Sequence, residues 1–216
     1  MNRNRILAHR GHWENSADKN SAAAIGRALK GGFGIETDFR DLDGVVVVSH
    51  APPRRGTVLS AAWLFDLYKD VGATGRIALN VKADGLQSML RTALDDAHVD
   101  ISRIFAFDMA IPDTLGYFRA GLPAYSRISE YEPTPSFPNR VVGVWVDNFT
   151  GNFMQVYEAK RLLEEGFRVG IVSSELHGRD PEALWSEIRE ARLHEHPFFE
   201  ICTDLPTEVH NILGTQ

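Results

Sequence analysis

The sequence predicts one α/β domain spanning residues 1–216, a parallel (β/α)8 barrel with a small β-hairpin extension after the second strand. Short apolar runs alternate with longer amphipathic stretches along the whole chain, which is the rhythm of strands joined by helices. Apart from one hairpin strand, the apolar runs number eight, the strand count of such a barrel. An open doubly wound sheet is the structural alternative.

The predicted barrel strands are short apolar runs. They cover residues 6–8, 33–39, 77–81, 104–107, 122–126, 141–146, 169–172 and 198–201. Asp43-Gly44 is a typical hairpin turn, and residues 45–48 form the returning strand of the extension.

The predicted helices lie between most of these strands and place their apolar residues at helical spacing. They cover residues 21–30, 60–68, 86–95, 112–119, 152–165 and 181–192. A last short helix begins near Pro206, with Thr203 or Asp204 close to its cap.

The composition is that of a globular protein, with 44% hydrophobic and 24% charged residues. A net charge of -6 argues against general nucleic-acid binding, which favours a basic surface. The single Cys202 cannot form an internal disulfide. No segment has the length and apolarity of a membrane span or a signal peptide, so we expect a cytoplasmic protein. The sequence leaves the oligomeric state open.

Polar side chains cluster where the first three predicted barrel strands and the hairpin strand end. They are His9, Arg10, Glu36, Asp38, His50, Asn80 and Lys82. Residues two apart on a strand share a face, and barrel active sites lie at the carboxyl ends of strands. We therefore expect these side chains to meet on one rim.

The residue types on this rim indicate metal-assisted cleavage of a phosphodiester. Two histidines can exchange protons near neutral pH, two carboxylates can hold a divalent cation, and an arginine suits a phosphate. Plainer interpretations remain for some of them. Lys82 can be a buried partner of Glu36, Asn80 can orient Asp38 or a water, and Arg10 can form a salt bridge in the rim.

Two further rim residues are candidates for substrate binding. Arg127 follows the fifth strand and can line the substrate pocket, or it can form a loop ion pair with Glu130. Trp145 near the end of the sixth strand can be a pocket wall or plain packing. His177 is interpreted as a loop residue.

Four motifs together resemble the glycerophosphodiester phosphodiesterase family. They are His9-Arg10-Gly11, Gly34-Ile35-Glu36-Thr37-Asp38, Val48-Ser49-His50 and Ile201-Cys202-Thr203-Asp204-Leu205-Pro206. The resemblance is specific in the N-terminal third and weak in the middle. It implies a TIM barrel that hydrolyses small phosphodiesters with a divalent cation, Mg or Ca.

The resemblance also implies a role for each matching residue. Glu36 and Asp38 would ligate the metal, and His9 and His50 would be the acid/base pair. Arg10 would bind the phosphate and Lys82 would stabilise its developing charge.

The chain departs from the family pattern at two positions. Asn80-Val81-Lys82 stands where the family has Glu-x-Lys, so an asparagine takes the place of the third metal-ligating carboxylate. Lys19 stands where the Pro-Glu-Asn-Thr stretch has its glutamate. An amide oxygen can ligate a hard cation but brings no charge. We therefore expect weaker metal binding, or compensation by Asp84, Asp108 or Glu130.

The function expected from the sequence is hydrolysis of a small, glycerophosphodiester-like phosphodiester by the two histidines. Two alternatives remain. One is a barrel that binds phosphodiesters without catalysis. The other is a lyase that stops at a cyclic phosphate after attack by a substrate hydroxyl.

Overall fold

The computed structural model describes residues 1–214 and has two sets of strands in them, a parallel ring and a short antiparallel extension. The ring strands are β1 (Ile6–His9), β2 (Gly34–Leu42), β5 (Ile77–Val81), β6 (Ile104–Phe107), β7 (Tyr125–Ile128), β8 (Gly143–Val146), β9 (Arg168–Val172) and β10 (Phe199–Thr203). The extension is formed by β3 (Val45–Val48) and β4 (Leu59–Ser60).

Eight parallel strands form the ring in the order β1-β2-β5-β6-β7-β8-β9-β10, with β10 returning to β1. Continuous ladders join every neighbouring pair except β6 and β7. There, one parallel bridge pairs Ala106 with Ala124, and the Ala106 amide donates to the Pro123 carbonyl at 2.9 Å. The predicted (β/α)8 barrel is confirmed.

The hairpin extension is also as predicted. β2 pairs antiparallel with β3, and Leu42 opposite Val45 leaves Asp43 and Gly44 as the two-residue turn. Both turn residues have positive φ, 53° and 79°, as a type I′ turn requires. The two-residue strand β4 was not predicted, because Leu59 and Ser60 are too few to show alternation.

Two strands begin later than predicted, and the chain gives the reason in each case. β7 begins at Tyr125 instead of residue 122, because the Leu122 amide closes the preceding helix on the Tyr117 carbonyl and Pro123 has no amide hydrogen. β8 begins at Gly143 instead of residue 141, since the Val141 amide bonds to Phe137 within the loop.

Seven α-helices connect the strands within residues 1–214. They are α1 (Ala22–Lys30), α2 (Ala61–Asp70), α3 (Gln87–Asp96), α4 (Ile111–Arg119), α5 (Gln155–Glu164), α6 (Glu182–Glu190) and α7 (Pro206–Leu213). Ser21 and Ser60 cap α1 and α2, accepting hydrogen bonds from the third amide of each helix. Leu205 is the residue before α7, and its amide donates to the Thr203 hydroxyl.

The barrel interior is filled by side chains on alternate positions of the strands. One apolar cluster fills successive levels of this interior and comprises Leu7, Ala78, Phe105, Phe107, Tyr125, Trp145, Val172 and Cys202. Gly170 leaves room for the Trp145 indole, since a Cβ at Gly170 would lie 2.8 Å from Trp145 Cε3. This apolar cluster separates the two open ends of the barrel. None of the helices in residues 1–214 is long and apolar enough to cross a membrane.

Candidate active site

The carboxyl ends of the strands form one rim of the barrel, and most of the predicted site residues meet there. A cleft of about 320 Å³ opens between the strand ends. Its lining includes His9, Arg10, Glu36, His50, Asn80, Trp145, Asp108, Asp147 and His177. Asp38 lies next to this cleft, in contact with Arg10 and His50 of its lining, and Lys82 in turn contacts Asp38.

His9 at the end of β1 forms a pair with Asp204 just after β10. His9 Nδ1 and Asp204 Oδ1 are 2.6 Å apart, and Lys19 Nζ donates to Asp204 Oδ2 at 3.0 Å. Because a carboxylate only accepts, His9 Nδ1 carries the proton in this contact and Nε2 is left as the basic nitrogen. His9 Nε2 faces Glu36 Oε2 at 3.8 Å.

Burial opposes ionisation of Asp204, but the hydrogen bond and charge of His9, followed by those of Lys19, outweigh it. The pKa of Asp204 therefore lies below its ordinary value. The residue is a carboxylate throughout the neutral range and holds the His9 ring in one orientation.

Arg10 turns away from the strand into the first βα loop and reaches His50. Its φ of 57° places it in the left-handed region, and Gly11 follows at 91°. A side chain at Gly11 would meet the α1 backbone at 2.6 Å, so glycine is required where this loop touches the helix. Arg10 Nη2 lies 2.7 Å from His50 Nδ1. The same nitrogen lies 3.2 Å from Asp38 Oδ1, which only accepts. The shorter contact is with the guanidinium, which only donates, so we assign Nδ1 as the acceptor of the neutral ring and place its proton on Nε2.

Asp38 in β2 is fully buried and surrounded by nitrogen groups. Its Oδ2 lies 2.9 Å from Arg10 Nε and accepts from Asn20 Nδ2 at 2.9 Å. Its Oδ1 lies 3.2 Å from His50 Nδ1 and 3.5 Å from Lys82 Nζ. Burial alone would raise the pKa of Asp38, but Arg10, Asn20 and Lys82 lower it below the ordinary value. Asp38 is an ionised anchor for the basic residues.

Glu36 and Asn80 differ from Asp38, because each has one side-chain oxygen that no hydrogen-bond donor faces. Asn80 Nδ2 donates to Glu36 Oε1 at 2.9 Å. Glu36 Oε2 and Asn80 Oδ1 are buried and have no hydrogen-bond partner in residues 1–214. Burial raises the pKa of Glu36, and the nearby His9 only partly offsets this. Both oxygens lack a partner that compensates for burial.

These two oxygens fit a divalent cation, which prefers oxygen ligands. A cation would supply the missing partner of Glu36 Oε2 and Asn80 Oδ1 and favour the charged form of Glu36. Within the described chain, no group of three His, Cys, Asp or Glu side chains is arranged to hold a metal ion. A cation bound here would need a ligand beyond these residue types, and Asn80 Oδ1 is the candidate.

The two predicted substrate-binding residues differ in placement. Trp145 lines the cleft, is 3% exposed and packs on Phe107 with ring centroids 4.3 Å apart. Arg127 is not paired with Glu130. It donates to Glu132 at 2.6 Å and to Asp108 at 3.0 Å, beside the cleft lining.

Of the carboxylates considered as replacements for the third acid, Asp108 alone lines the cleft. Burial raises the pKa of Asp108, although Arg127 opposes the shift. Glu130 instead accepts hydrogen bonds from the Phe149 and Thr150 amides. Asp84 is exposed on the loop after β5.

Sequence reasoning missed three contributors to this site. Asp204 was considered as a residue near a helix cap and as part of a family motif, without a role in the site, and Lys19 only as a departure from the family pattern. His177, interpreted as a loop residue, lies on the cleft with Nε2 2.7 Å from Asp147 Oδ1. Asp147 is two residues after Trp145, so strand alternation places both side chains on the interior face. This was the available sequence signal for the His177–Asp147 pair.

Comparison with known proteins relates this fold to solved structures. A glycerophosphodiester phosphodiesterase from Parabacteroides distasonis has a TM-score of 0.72 at 17% identity, covering 99% of this chain and 98% of its own. That from Agrobacterium tumefaciens has a TM-score of 0.66 at 14% identity, with 97% and 98% covered.

A phosphodiesterase from Oleispira antarctica, in complex with the product sn-glycerol-3-phosphate, has a TM-score of 0.63 at 13% identity, covering 98% of this chain and 97% of its own. No family model and no curated protein matches the sequence. The sequence motifs and the structural likeness agree: this chain has the fold of the glycerophosphodiester phosphodiesterases.

Proposed function

We propose that this chain is a metal-dependent phosphodiesterase that cleaves a small phosphodiester of the glycerophosphodiester type. The observation that carries the proposal is the pairing of His9 and His50 on one cleft with opposite free ring nitrogens. Asp204 leaves Nε2 of His9 basic, whereas Arg10 leaves Nε2 of His50 protonated. One histidine can accept a proton while the other donates one.

His9 is assigned as the general base. Its Nε2 takes the proton of the attacking hydroxyl, either of water or of a hydroxyl on the substrate next to the phosphate. Asp204 stabilises the imidazolium that forms, because its carboxylate lies 2.6 Å from Nδ1. Lys19 keeps Asp204 in place from the other oxygen.

His50 is assigned as the general acid that protonates the leaving oxygen from Nε2. It is the most exposed member of the site, with 55% of its side chain accessible. That exposure suits a group that meets the variable half of a substrate. The Arg10 contact at Nδ1 keeps its proton on the outward nitrogen.

Arg10 is assigned to bind the phosphate, and Lys82 to stabilise its developing negative charge. Arg10 forms an ion pair with Asp38 through Nε and contacts His50 through Nη2. Neither Nε nor Nη1 makes a hydrogen bond among residues 1–214. Lys82 Nζ lies 3.5 Å from Asp38 Oδ1, a contact loose enough to exchange for a phosphate oxygen. Preorganised donors of this kind stabilise charge that develops in the transition state.

Glu36 and Asn80, with Asp38 beside them, would hold Mg or Ca through their side-chain oxygens. When bound, the cation neutralises phosphate charge as a Lewis acid. Asp38 already serves Arg10 and Lys82, so Glu36 Oε2 and Asn80 Oδ1 are the oxygens that most need a partner.

The size of the cleft and the product bound by a structural neighbour support a small substrate. A cleft of about 320 Å³ accommodates a small molecule. The Oleispira antarctica relative binds sn-glycerol-3-phosphate. A glycerophosphodiester in the cytoplasm is the substrate we propose. Trp145 would form one wall, and Arg127 would contact the substrate at the edge.

The test is product release from glycerophosphocholine and glycerophosphoethanolamine, followed by phosphorus NMR, with Mg, with Ca and with EDTA. We expect metal-dependent turnover with a bell-shaped dependence on pH. The His50→Ala variant should lose roughly 10²- to 10⁴-fold in rate, while binding of phosphate remains. A cyclic phosphate that accumulates would establish the lyase alternative. Ligand binding without turnover at any pH or metal would establish the non-catalytic barrel.

A further inference from the structure

The amino-terminal mouth of the barrel, opposite the catalytic rim, contains four arginines. Arg5, Arg76, Arg103 and Arg168 line a cavity of about 310 Å³. Each stands two residues before an interior position: Leu7, Ala78, Phe105 and Gly170 respectively. Arg168 is the first residue of β9, and Arg5, Arg76 and Arg103 lie one residue before β1, β5 and β6, so all four stand at the amino ends of ring strands.

The charges in this cavity do not balance. Glu195 and Glu200 are the carboxylates in its lining, so four guanidinium groups face two acids. Glu195 is also paired with Arg192 at 2.7 Å. Glu200 is matched to Arg76 at 3.1 Å. Arg103 Nε has only a long contact of 4.0 Å with the exposed Asp100, outside the lining. Positive charge therefore remains on Arg5 and Arg168, and Arg103 is only weakly paired.

Two of these arginines are held in place by neutral acceptors. Arg5 donates to the carbonyl oxygens of His194 and His196, and Arg103 donates to that of Thr74 at 2.7 Å. Carbonyl oxygens fix the position of a guanidinium without neutralising its charge. Both groups are therefore positioned and still able to attract an anion.

The other two have donors that are not used. Arg76 is 7% exposed, and its Nε is buried without a hydrogen-bond partner in the described chain. Arg168 packs its guanidinium over the Phe198 ring, 4.9 Å from the centroid. Throughout residues 1–214 that guanidinium has no ion pair or hydrogen bond. A buried donor such as Arg76 Nε is unfavourable without an acceptor, and a bound anion would supply one.

We propose that this cavity is a binding site for a small phosphate dianion, either inorganic phosphate or a phosphomonoester. Guanidinium groups approach from the amino ends of four different strands, so the ligand must present acceptors in several directions. A tetrahedral phosphate does this, whereas a carboxylate offers two oxygens in one plane. The site is separate from the catalytic cleft: Arg76, just before β5, and Asn80 within β5 are four residues apart, about 13 Å along an extended chain.

The experiment observes the Nε–H signals of the arginines by NMR of the whole chain during titration with inorganic phosphate. Calorimetry measures the affinity in parallel. We expect the Arg76 Nε signal to shift with saturation. The shift should persist in Arg10→Gln, which weakens anion binding in the catalytic cleft. Repeating the titration with glycerol 3-phosphate distinguishes a phosphomonoester site from one that admits free phosphate only.

Arg168→Gln is the variant that tests the cavity, because it removes one charge without breaking an ion pair. It should weaken phosphate binding at this site roughly 10- to 100-fold, the loss expected for one charged hydrogen bond. Arg189→Gln is the matched control, an exposed arginine on α6, and should bind as the unmodified chain does. An Arg76 Nε signal that stays in place at tens of millimolar phosphate would overturn the proposal. Equal affinities for the Arg168 and Arg189 variants would also overturn it.

Discussion

The contact between His9 and Asp204 allows a prediction from hydrogen-bond roles alone. In Asp204→Asn, the amide must face Lys19 on one side and His9 on the other. Lys19 only donates, so it selects the amide oxygen and turns the amide NH₂ toward His9 Nδ1. His9 must then accept at Nδ1 and carry its proton on Nε2. A general base in that tautomer cannot take a proton from the attacking hydroxyl.

The size of the effect follows from the cost of reversing this arrangement. To restore the productive tautomer, the amide must turn and give up its charged hydrogen bond with Lys19, at a cost of about 1.5–3 kcal/mol. That corresponds to roughly 10- to 100-fold in rate. The lost carboxylate also stabilised the imidazolium across a contact whose side chains are 14% and 13% exposed. We therefore expect a total loss of roughly 10²- to 10⁴-fold.

The assay is the rate of phosphodiester cleavage, together with ¹⁵N NMR of the His9 ring, which distinguishes the tautomers without needing turnover. The double variant Lys19→Met with Asp204→Asn frees the amide to turn and should recover roughly 10-fold over Asp204→Asn alone. Lys19→Met by itself is the control. The reasoning is refuted if Asp204→Asn keeps a near-normal rate, or if its His9 ring shows the proton still on Nδ1.

Two further predictions concern stability. In Gly170→Ala the new Cβ would lie 2.8 Å from the buried Trp145 ring, so urea unfolding should show a free energy of unfolding lower by roughly 1–3 kcal/mol. The control is Gly26→Ala, whose Cβ would meet its nearest neighbour at 3.9 Å. It should instead raise the free energy of unfolding by about 0.5–1 kcal/mol. The lowered pKa of Asp38 stabilises the fold above the ordinary value of 3.8, and this contribution is lost as pH falls through the folded pKa. Asp38→Asn should therefore be less stable near pH 7 by roughly 3 kcal/mol, with the difference closing in acid, whereas Asp95→Asn in an exposed pair should change little at any pH.

The barrel was predictable because its signals are local. Each strand is a short apolar run, and the turn at Asp43-Gly44 is specified by the two residues that adopt positive φ. The strand ends were less predictable, since hydrogen bonds to preceding loops decide them. Leu122 is apolar and looks like the start of a strand, yet its amide closes a helix.

The candidate site was predictable only where its residues lie at strand ends in the N-terminal third. Strand alternation suffices to place Glu36, Asp38 and Asn80 on one rim. The partner of His9 could not be assigned this way, because Asp204 is 195 positions away and its role depends on β10 closing the ring against β1. Arg127 shows the same limit, since its choice of Glu132 over Glu130 is set by a loop.

The His9–Asp204 contact has a consequence for when the protein becomes functional during synthesis. His9 is made 195 positions before Asp204, the carboxylate that orients it, which follows the last strand of the barrel. A growing chain on the ribosome, or one cut before β10, has the histidine without its partner. Catalysis of the proposed kind can therefore begin only after the ring is complete. Enzymatic rate then serves as a direct reporter of correct closure during refolding.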